Sequence, residues 1–332
     1  MRSIEREAAL VTPAARSGTA ARPVALFVVG FARSGTSALT RVLSLCGAAL
    51  PPRLFGAVKK HPAGYWEPRE AHYLNGPFLR RHRSAGFDLT LRLQAEGAFD
   101  ANEEAACIAK IRAYLTTLPA APVVVIKDPK ITVLSGMWFE AARQAGFDPM
   151  AVIAVRHPHE SIESTTAAAG TSPEFGGALW LKYSLLAERN TRGLPRVFVE
   201  YANLMSDWRH EMKRISAALA IDLDTQEEPA IDEFLAPALR HHLHSGPVNE
   251  FLGSDWISAT YEALSAAARD DPLDQSALDR VFETYRVSEH GFRTAFEDFH
   301  RLHRLWRLVP ISMVKVFLEA NAIARRRNST WA

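Results

Sequence analysis

The chain has 332 residues, 48% of them apolar, enough for one large α/β domain or two small ones around a buried core. A net charge of +2 excludes the global basic field of a nucleic-acid binder, so any anion must be held by local groups. Cys46 and Cys107 lack metal-ligand or redox spacing, and no uncharged apolar run reaches about 18 residues, which predicts two reduced thiols in a cytoplasmic protein without a membrane span.

Residues 1–22 are rich in Ala, Arg, Ser and Thr, include Glu5 and Glu7, and lack an apolar run. They read as a disordered tail rather than a secretory signal. Val24 to Val29 is a short apolar, β-branched run after Pro23, followed by Gly30-Phe-Ala-Arg-Ser-Gly-Thr-Ser37 and a helical pattern through Leu39, Val42, Leu43 and Cys46. That is strand, turn, helix. Residues 51–64 read as a loop, with a helix from about Pro68 and Glu70 in its first turn. Further on, the pattern gives a helix over 103–118, a strand at Val123–Ile126 and a helix over 132–145 ended by Gly146. It continues with a strand at Ala151–Val155, a helix over 177–191 and a strand at Arg196–Val199. Strands alternating with helices predict an α/β fold, a parallel sheet flanked by helices on both faces. From about residue 226 the pattern is helical, and no linker interrupts it. A single domain over 23–332 is expected, with an α/β core to residue 225 and a helical extension beyond.

Ligands of such sheets bind beyond the carboxyl ends of the strands, where the polar clusters after Val29, Ile126 and Val155 lie. Gly30 to Ser37 has the frame of a phosphate-binding loop, with Thr36 where such loops carry lysine. The frame aims backbone N–H groups and a helix N-terminus at one point, which suits a cluster of anionic oxygens. The cation inside the loop is Arg33.

This motif resembles the 5′-phosphosulfate loop of Golgi-type and bacterial sulfotransferases, tyrosylprotein sulfotransferases among them. The second signature of that family is an arginine after a later strand with a serine eight residues on, matched here by Arg156 and Ser164 in Val152-Ile-Ala-Val-Arg-His-Pro-His-Glu-Ser-Ile-Glu-Ser164. Ile126-Lys127-Asp128-Pro129 is similar to the Lys-Asp-Pro element of the tyrosylprotein branch, and Tyr201 resembles a tyrosine near the adenine. The resemblance covers about residues 24–205. It implies the donor 3′-phosphoadenosine 5′-phosphosulfate (PAPS), with Arg33, Ser34, Gly35, Thr36 and Ser37 on its 5′-phosphate. Arg156 and Ser164 would lie on its 3′-phosphate and Lys127 at the sulfuryl group. It also implies 3′-phosphoadenosine 5′-phosphate (PAP) as product, no required metal, and a hydroxyl acceptor: a glycan or glycolipid, with peptide tyrosine or a small molecule as alternatives. The base in this branch is a glutamate after the first loop. Glu67, in Gly64-Tyr-Trp-Glu-Pro-Arg-Glu70, is the choice, ahead of Glu70 and His61, and a salt bridge is the plainer role for either carboxylate.

Arg240-His-His-Leu-His244 lacks the other ligands of a metal site and reads as a surface or acceptor-side cluster. Trp138, Phe175, Trp180 and Tyr183 read as core. Leu305 to Ile323, followed by Arg325-Arg-Arg327, is amphipathic with a basic end: a packed helix, or, alternatively, an interfacial membrane contact. The rival function is a kinase or NTPase in which Asp128 holds Mg²⁺. A degenerate adaptor is the non-enzymatic alternative, and it predicts loss of Arg33, Lys127 or the base, all of which are present.

Overall fold

The computed structural model describes residues 22–57, 64–224, 228–235, 248 and 254–308, with helical positions 313, 316 and 320. The expected tail (all but Arg22), His61, the 240–244 histidine cluster, Arg325 to Arg327 and most of Leu305 to Ile323 lie outside the described residues.

Four strands form one parallel sheet in the order β2-β1-β3-β4. They are β1 (Val24–Gly30), β2 (Val123–Ile126), β3 (Asp148–Val155) and β4 (Arg196–Glu200). β1 pairs with β3 from Val24↔Asp148 to Gly30↔Ala154 and with β2 from Val24↔Val123 to Phe27↔Ile126. Strand residues alternate between faces, and the burial follows. Ala25, Phe27, Val29, Val124, Ile126, Ala151, Ile153 and Phe198 belong to one hydrophobic cluster; Leu26, Val28, Val125, Val152, Val197 and Val199 belong to another. Both faces are covered, which is why each strand reads as a continuous apolar run.

On the second face lie α1 (Thr36–Leu45), α8 (Trp208–Leu219) and α9 (Glu228–Phe234), through Leu39, Val42, Leu43, Met212, Ile215 and Ile231. The first face carries α3 (Ala101–Leu115), α4 (Ile131–Gln144) and α6 (Pro173–Asn190), and the expected core residues Trp138, Trp180 and Tyr183 are buried there. Phe175 is partly buried against that cluster. The chain also contains α2 (Arg69–Arg81), α5 (Pro158–Ala169) and the short α7 (Tyr201–Ser206). Past residue 226, α10 (Trp256–Ala267) packs on α6 and β4, and the long α11 (Gln275–Leu308) packs on α10. No described helix is long and apolar enough to cross a membrane.

The order of the strands places the site. From β1 the chain moves outward to β2, then returns past β1 to β3 and on to β4. The connections therefore diverge between β1 and β3, leaving a crevice beyond their carboxyl ends. The loops entering that crevice are the ones after Gly30 and after Val155.

Candidate active site

The loop leaving β1 is held by a turn within its own backbone and by a side chain of α4. Ser34 N donates to Phe31 O at 3.0 Å, and Gly30 N donates to Thr132 Oγ1 at 3.1 Å. Gly35 precedes α1 with φ +82°, and a Cβ there would lie 2.3 Å from Tyr201 Cδ2, so only glycine lets the loop pass the tyrosine ring. Thr36 opens the helix, and its Oγ1 is buried without a hydrogen-bond partner. The first N–H groups of α1 thus face the crevice as the ready anion site of a helix N-terminus.

Two groups of side chains meet around this loop. The first comes from β3, α5 and α7. Arg156 donates through Nη1 to Arg33 O at 3.1 Å and through Nε to Glu160 Oε2 at 2.6 Å, and its guanidinium lies 4.4 Å from the Tyr201 ring. Arg33 Nε donates to Ser164 Oγ at 2.9 Å. Ser161, one turn before Ser164 on α5, is fully buried with its hydroxyl 3.4 Å from Ser34 Oγ. Arg33, Ser34, Arg156, Ser164 and Tyr201 therefore converge, although the first two are more than 120 positions from the third and fourth. Burial, then the charge of Arg156, hold the Arg33 guanidinium below its ordinary pKa. The same crowding of positive charge makes the place favourable to an anion.

The second group centres on Lys127, just after β2. It is 2% exposed, and its ammonium donates to Glu67 Oε1 at 2.6 Å, Ser37 Oγ at 3.1 Å and Tyr65 O at 3.1 Å. Ser37 donates in turn to Tyr65 O at 3.2 Å. Trp66, at φ +57°, carries the chain round into Glu67, with the Arg41 guanidinium 4.5 Å from its ring. The two residues expected at the reacting centre, Lys127 and Glu67, are thus bonded to each other, and through Ser37 to the first turn of α1. Glu67 does make the salt bridge that was its plainer role, and its partner is Lys127, a lysine of the site. Arg69 donates to Leu54 O at 3.2 Å. Glu70 turns the other way, to an exposed ion pair with Arg53 at 3.1 Å.

Asp128 does not face the loop. It is fully buried, accepting from Asn75 Nδ2 at 3.2 Å and from Lys130 N at 2.9 Å, with Lys130 Nζ 3.2 Å away; Asn75 is fixed by Trp138 Nε1 at 2.9 Å. Sequence reasoning gave no role to Glu160, Ser161 or Tyr65. Glu160 had a signal, an acid four residues after Arg156 in the first turn of the next helix. Ser161 had a weaker one, lying three residues before Ser164. Tyr65 acts through its carbonyl, for which a side-chain motif carries no sign.

The two thiols stand apart from the site, each pushed up mainly by burial, Cys46 to about 12 and Cys107 to about 11. Such thiols stay protonated at neutral pH and are poor nucleophiles.

No curated protein matches the sequence. Among solved structures, the sulfotransferase domain from the Synechococcus PCC 7002 olefin synthase is similar at 20% identity, with 81% of this chain and 96% of that chain covered and a TM-score of 0.41. The model of the sulfotransferase family matches residues 23–225, more than half of the chain and the whole of the crevice described above. On that match, the chain belongs to the sulfotransferase family and is a transferase.

Proposed function

We propose that the enzyme transfers a sulfuryl group from PAPS to the hydroxyl of a glycan or glycolipid acceptor, in the cytoplasm, giving a sulfate ester and PAP. The observation that carries this reading is the 2.6 Å pair of Lys127 and Glu67, joined through Ser37 to the loop that holds Arg33. This reaction needs a cation and a carboxylate at one point, the first for the growing charge and the second for the acceptor proton. The residues present fit the donor. Thr36 Oγ1 is a buried hydroxyl with unused hydrogen-bonding capacity at the helix N-terminus, and Arg156 and Arg33 supply the charge for two phosphate groups.

The roles follow from chemistry. The transition state of sulfuryl transfer is loose and spreads charge over the leaving and transferred oxygens, so positioning and electrostatics carry the catalysis, as in phosphoryl transfer. Glu67 accepts the proton as the acceptor O–H bond breaks and the new O–S bond forms. Its side chain is 13% exposed against 2% for Lys127, so an acceptor can reach the carboxylate while the ammonium stays behind it. The S–O bond to the 5′-phosphate breaks and its electron pair leaves with PAP. Lys127 and Arg33 stabilise that growing charge. Ser34, Gly35, Thr36 and Ser37 hold the 5′-phosphate; Arg156 and Ser164 hold the 3′-phosphate, with Tyr201 beside the adenine.

The kinase reading requires Asp128 to reach Mg²⁺ from the strand end, but its two oxygens are committed to Asn75 and Lys130. A melting experiment separates the two readings. PAP at about 100 times its Kd should stabilise the protein by about 2.7 kcal/mol without Mg²⁺, and ATP with Mg²⁺ should not. Stabilisation by ATP with Mg²⁺ alone would refute the proposal. Incubation with radiolabelled donor and separate glycan and lipid extracts then identifies the acceptor class.

A further inference from the structure

The family match ends at residue 225, yet the extension beyond it reaches the crevice. α10 packs on β3 and β4 as well as on α6. Parallel pairing sets Glu200, the last residue of β4, beside Val155, the last of β3. The residues that follow them, Tyr201 and Arg156, are the two whose ring and guanidinium lie 4.4 Å apart in the crevice. Glu200 is 8% exposed, and a buried carboxylate is costly unless its oxygens find donors. Both donors come from α10. Tyr261 Oη donates to Glu200 Oε1, and Ser265 Oγ donates to Glu200 Oε2 at 2.9 Å. The two residues stand four apart, on one face of the helix, and Arg269 Nη1 in turn donates to Ser265 Oγ at 2.8 Å.

The ring of Tyr261 meets the neighbouring strand end. Its centroid is 5.0 Å from that of His157 and 6.5 Å from that of Trp180. His157 follows Arg156 and precedes α5, and Trp180 Nε1 donates to Arg156 O at 3.2 Å. One side chain of the extension thus borders both strand ends from which Arg156 and Tyr201 leave. Burial, then the bond to Glu200, push its phenol above the ordinary range, so it is a donor at neutral pH. The placing of Tyr201 matters to the first loop too, because its ring fills the space that a Cβ of Gly35 would enter. Resting on the donor reading above, we infer that Tyr261 and Ser265 are positioning residues of the donor site: through Glu200 and His157 they fix the directions in which Tyr201 and Arg156 leave the sheet. The helical extension is then part of the donor site rather than a separate layer packed on it.

Isothermal titration of PAP into the full chain, well below the melting transition, separates positioning from mere support of the fold. Tyr261→Phe keeps the ring and strands one carboxylate oxygen, and should weaken PAP about tenfold. Ser265→Ala, a smaller change at the same carboxylate, should weaken it about threefold and supplies the answer where Tyr261→Phe does not fold. Tyr285→Phe is the control. Tyr285 is buried on α11, and its hydroxyl donates to Leu89 O, so this variant should lower the melting temperature and leave PAP affinity unchanged. Wild-type affinity in both Tyr261→Phe and Ser265→Ala, with lowered melting temperatures, would overturn the inference and leave the donor reading standing. So would an equal loss in Tyr285→Phe. A wild-type chain that does not bind PAP would overturn the donor reading, and the inference with it.

Discussion

Replacing Glu67 by Gln tests the centre of the site, because the residue has an observed partner in Lys127 and a separable, proposed role as the base. As a partner of Lys127, Glu67 offsets a charge that is 2% exposed and otherwise meets Ser37 Oγ and Tyr65 O. Removing one member of such a buried pair costs about 3–5 kcal/mol, and that is the expectation for Glu67→Ala. The amide of Gln can still accept from Lys127, so Glu67→Gln should cost only about 1–3 kcal/mol. As the proposed base, Glu67 should contribute about 10²–10⁴ in kcat, and Gln cannot take a proton. Urea denaturation measures the first effect. Single-turnover transfer to an accepted hydroxyl measures the second, beside PAP titrations that should change little. A double-mutant cycle with Lys127→Met separates the pair from its surroundings. The two substitutions together should be less destabilising than their sum by about 1–3 kcal/mol. Glu70→Gln is the control, since an exposed pair such as Arg53 with Glu70 is worth at most about 1 kcal/mol and turnover should persist. Full turnover in Glu67→Gln, with loss in Glu70→Gln, would refute the assignment. Strict additivity in the cycle would refute the pair.

Further outcomes are expected at the donor end. Arg156→Ala should weaken PAP by about 2–4 kcal/mol and barely affect adenosine 5′-phosphosulfate, which lacks the 3′-phosphate; isothermal titration of both ligands checks this. Arg33→Ala should depress kcat more than donor affinity, and Arg33→Lys should restore part of the rate, because the charge returns without the planar fork; single-turnover kinetics beside PAP titration distinguishes these. Gly35→Ala places a Cβ 2.3 Å from the Tyr201 ring at a φ of +82°, so thermal melting should show a loss of more than about 1 kcal/mol, together with weakened PAP binding.

The strands were legible because a parallel sheet covered on both faces writes each strand as an apolar run. Val123–Ile126 is as the sequence reads it, and β1 and β4 are each one residue longer. β3 begins three residues earlier than its apolar run, at Asp148, because Pro149 interrupts the pattern there. α6 begins four residues before the expected start. Gly176 and Gly177 conceal its first turns as a sequence signal, and Gly176 stands at a close approach of α5, where a Cβ would lie 3.3 Å from Ile162 Cγ2. The pair α7 and α8 went unread, although Asp207 caps His210 N, and Trp208, Met212, Ile215 and Leu219 have helical spacing. In the site, the positions of Arg33, Lys127 and Arg156 were legible as motifs. Their partners were not. Lys127 to Glu67 spans 60 residues and Arg33 to Ser164 spans 131, and pairings at such separations are set by how the sheet folds, which local patterns do not encode.

The contact between Arg33 and Ser164 changes how the two signatures relate. Read along the chain, the first loop and the later arginine-serine element are independent holders of opposite ends of the donor. In the fold, the serine of the second donates no help to its own arginine; it accepts from the arginine of the first, while Arg156 donates to the carbonyl of Arg33. Glu160, 2% exposed, orients Arg156 from the turn that also supplies Ser161 to the loop. Displacing α5 would therefore move Arg33 as well as Arg156. Under the proposed function, a ligand that engages Arg156 with its 3′-phosphate would in this way order Arg33, the cation proposed at the leaving group. That is a physical reason for an enzyme of this kind to discriminate a donor by a phosphate remote from the bond that breaks, since binding energy gained there is used in positioning at the reacting centre.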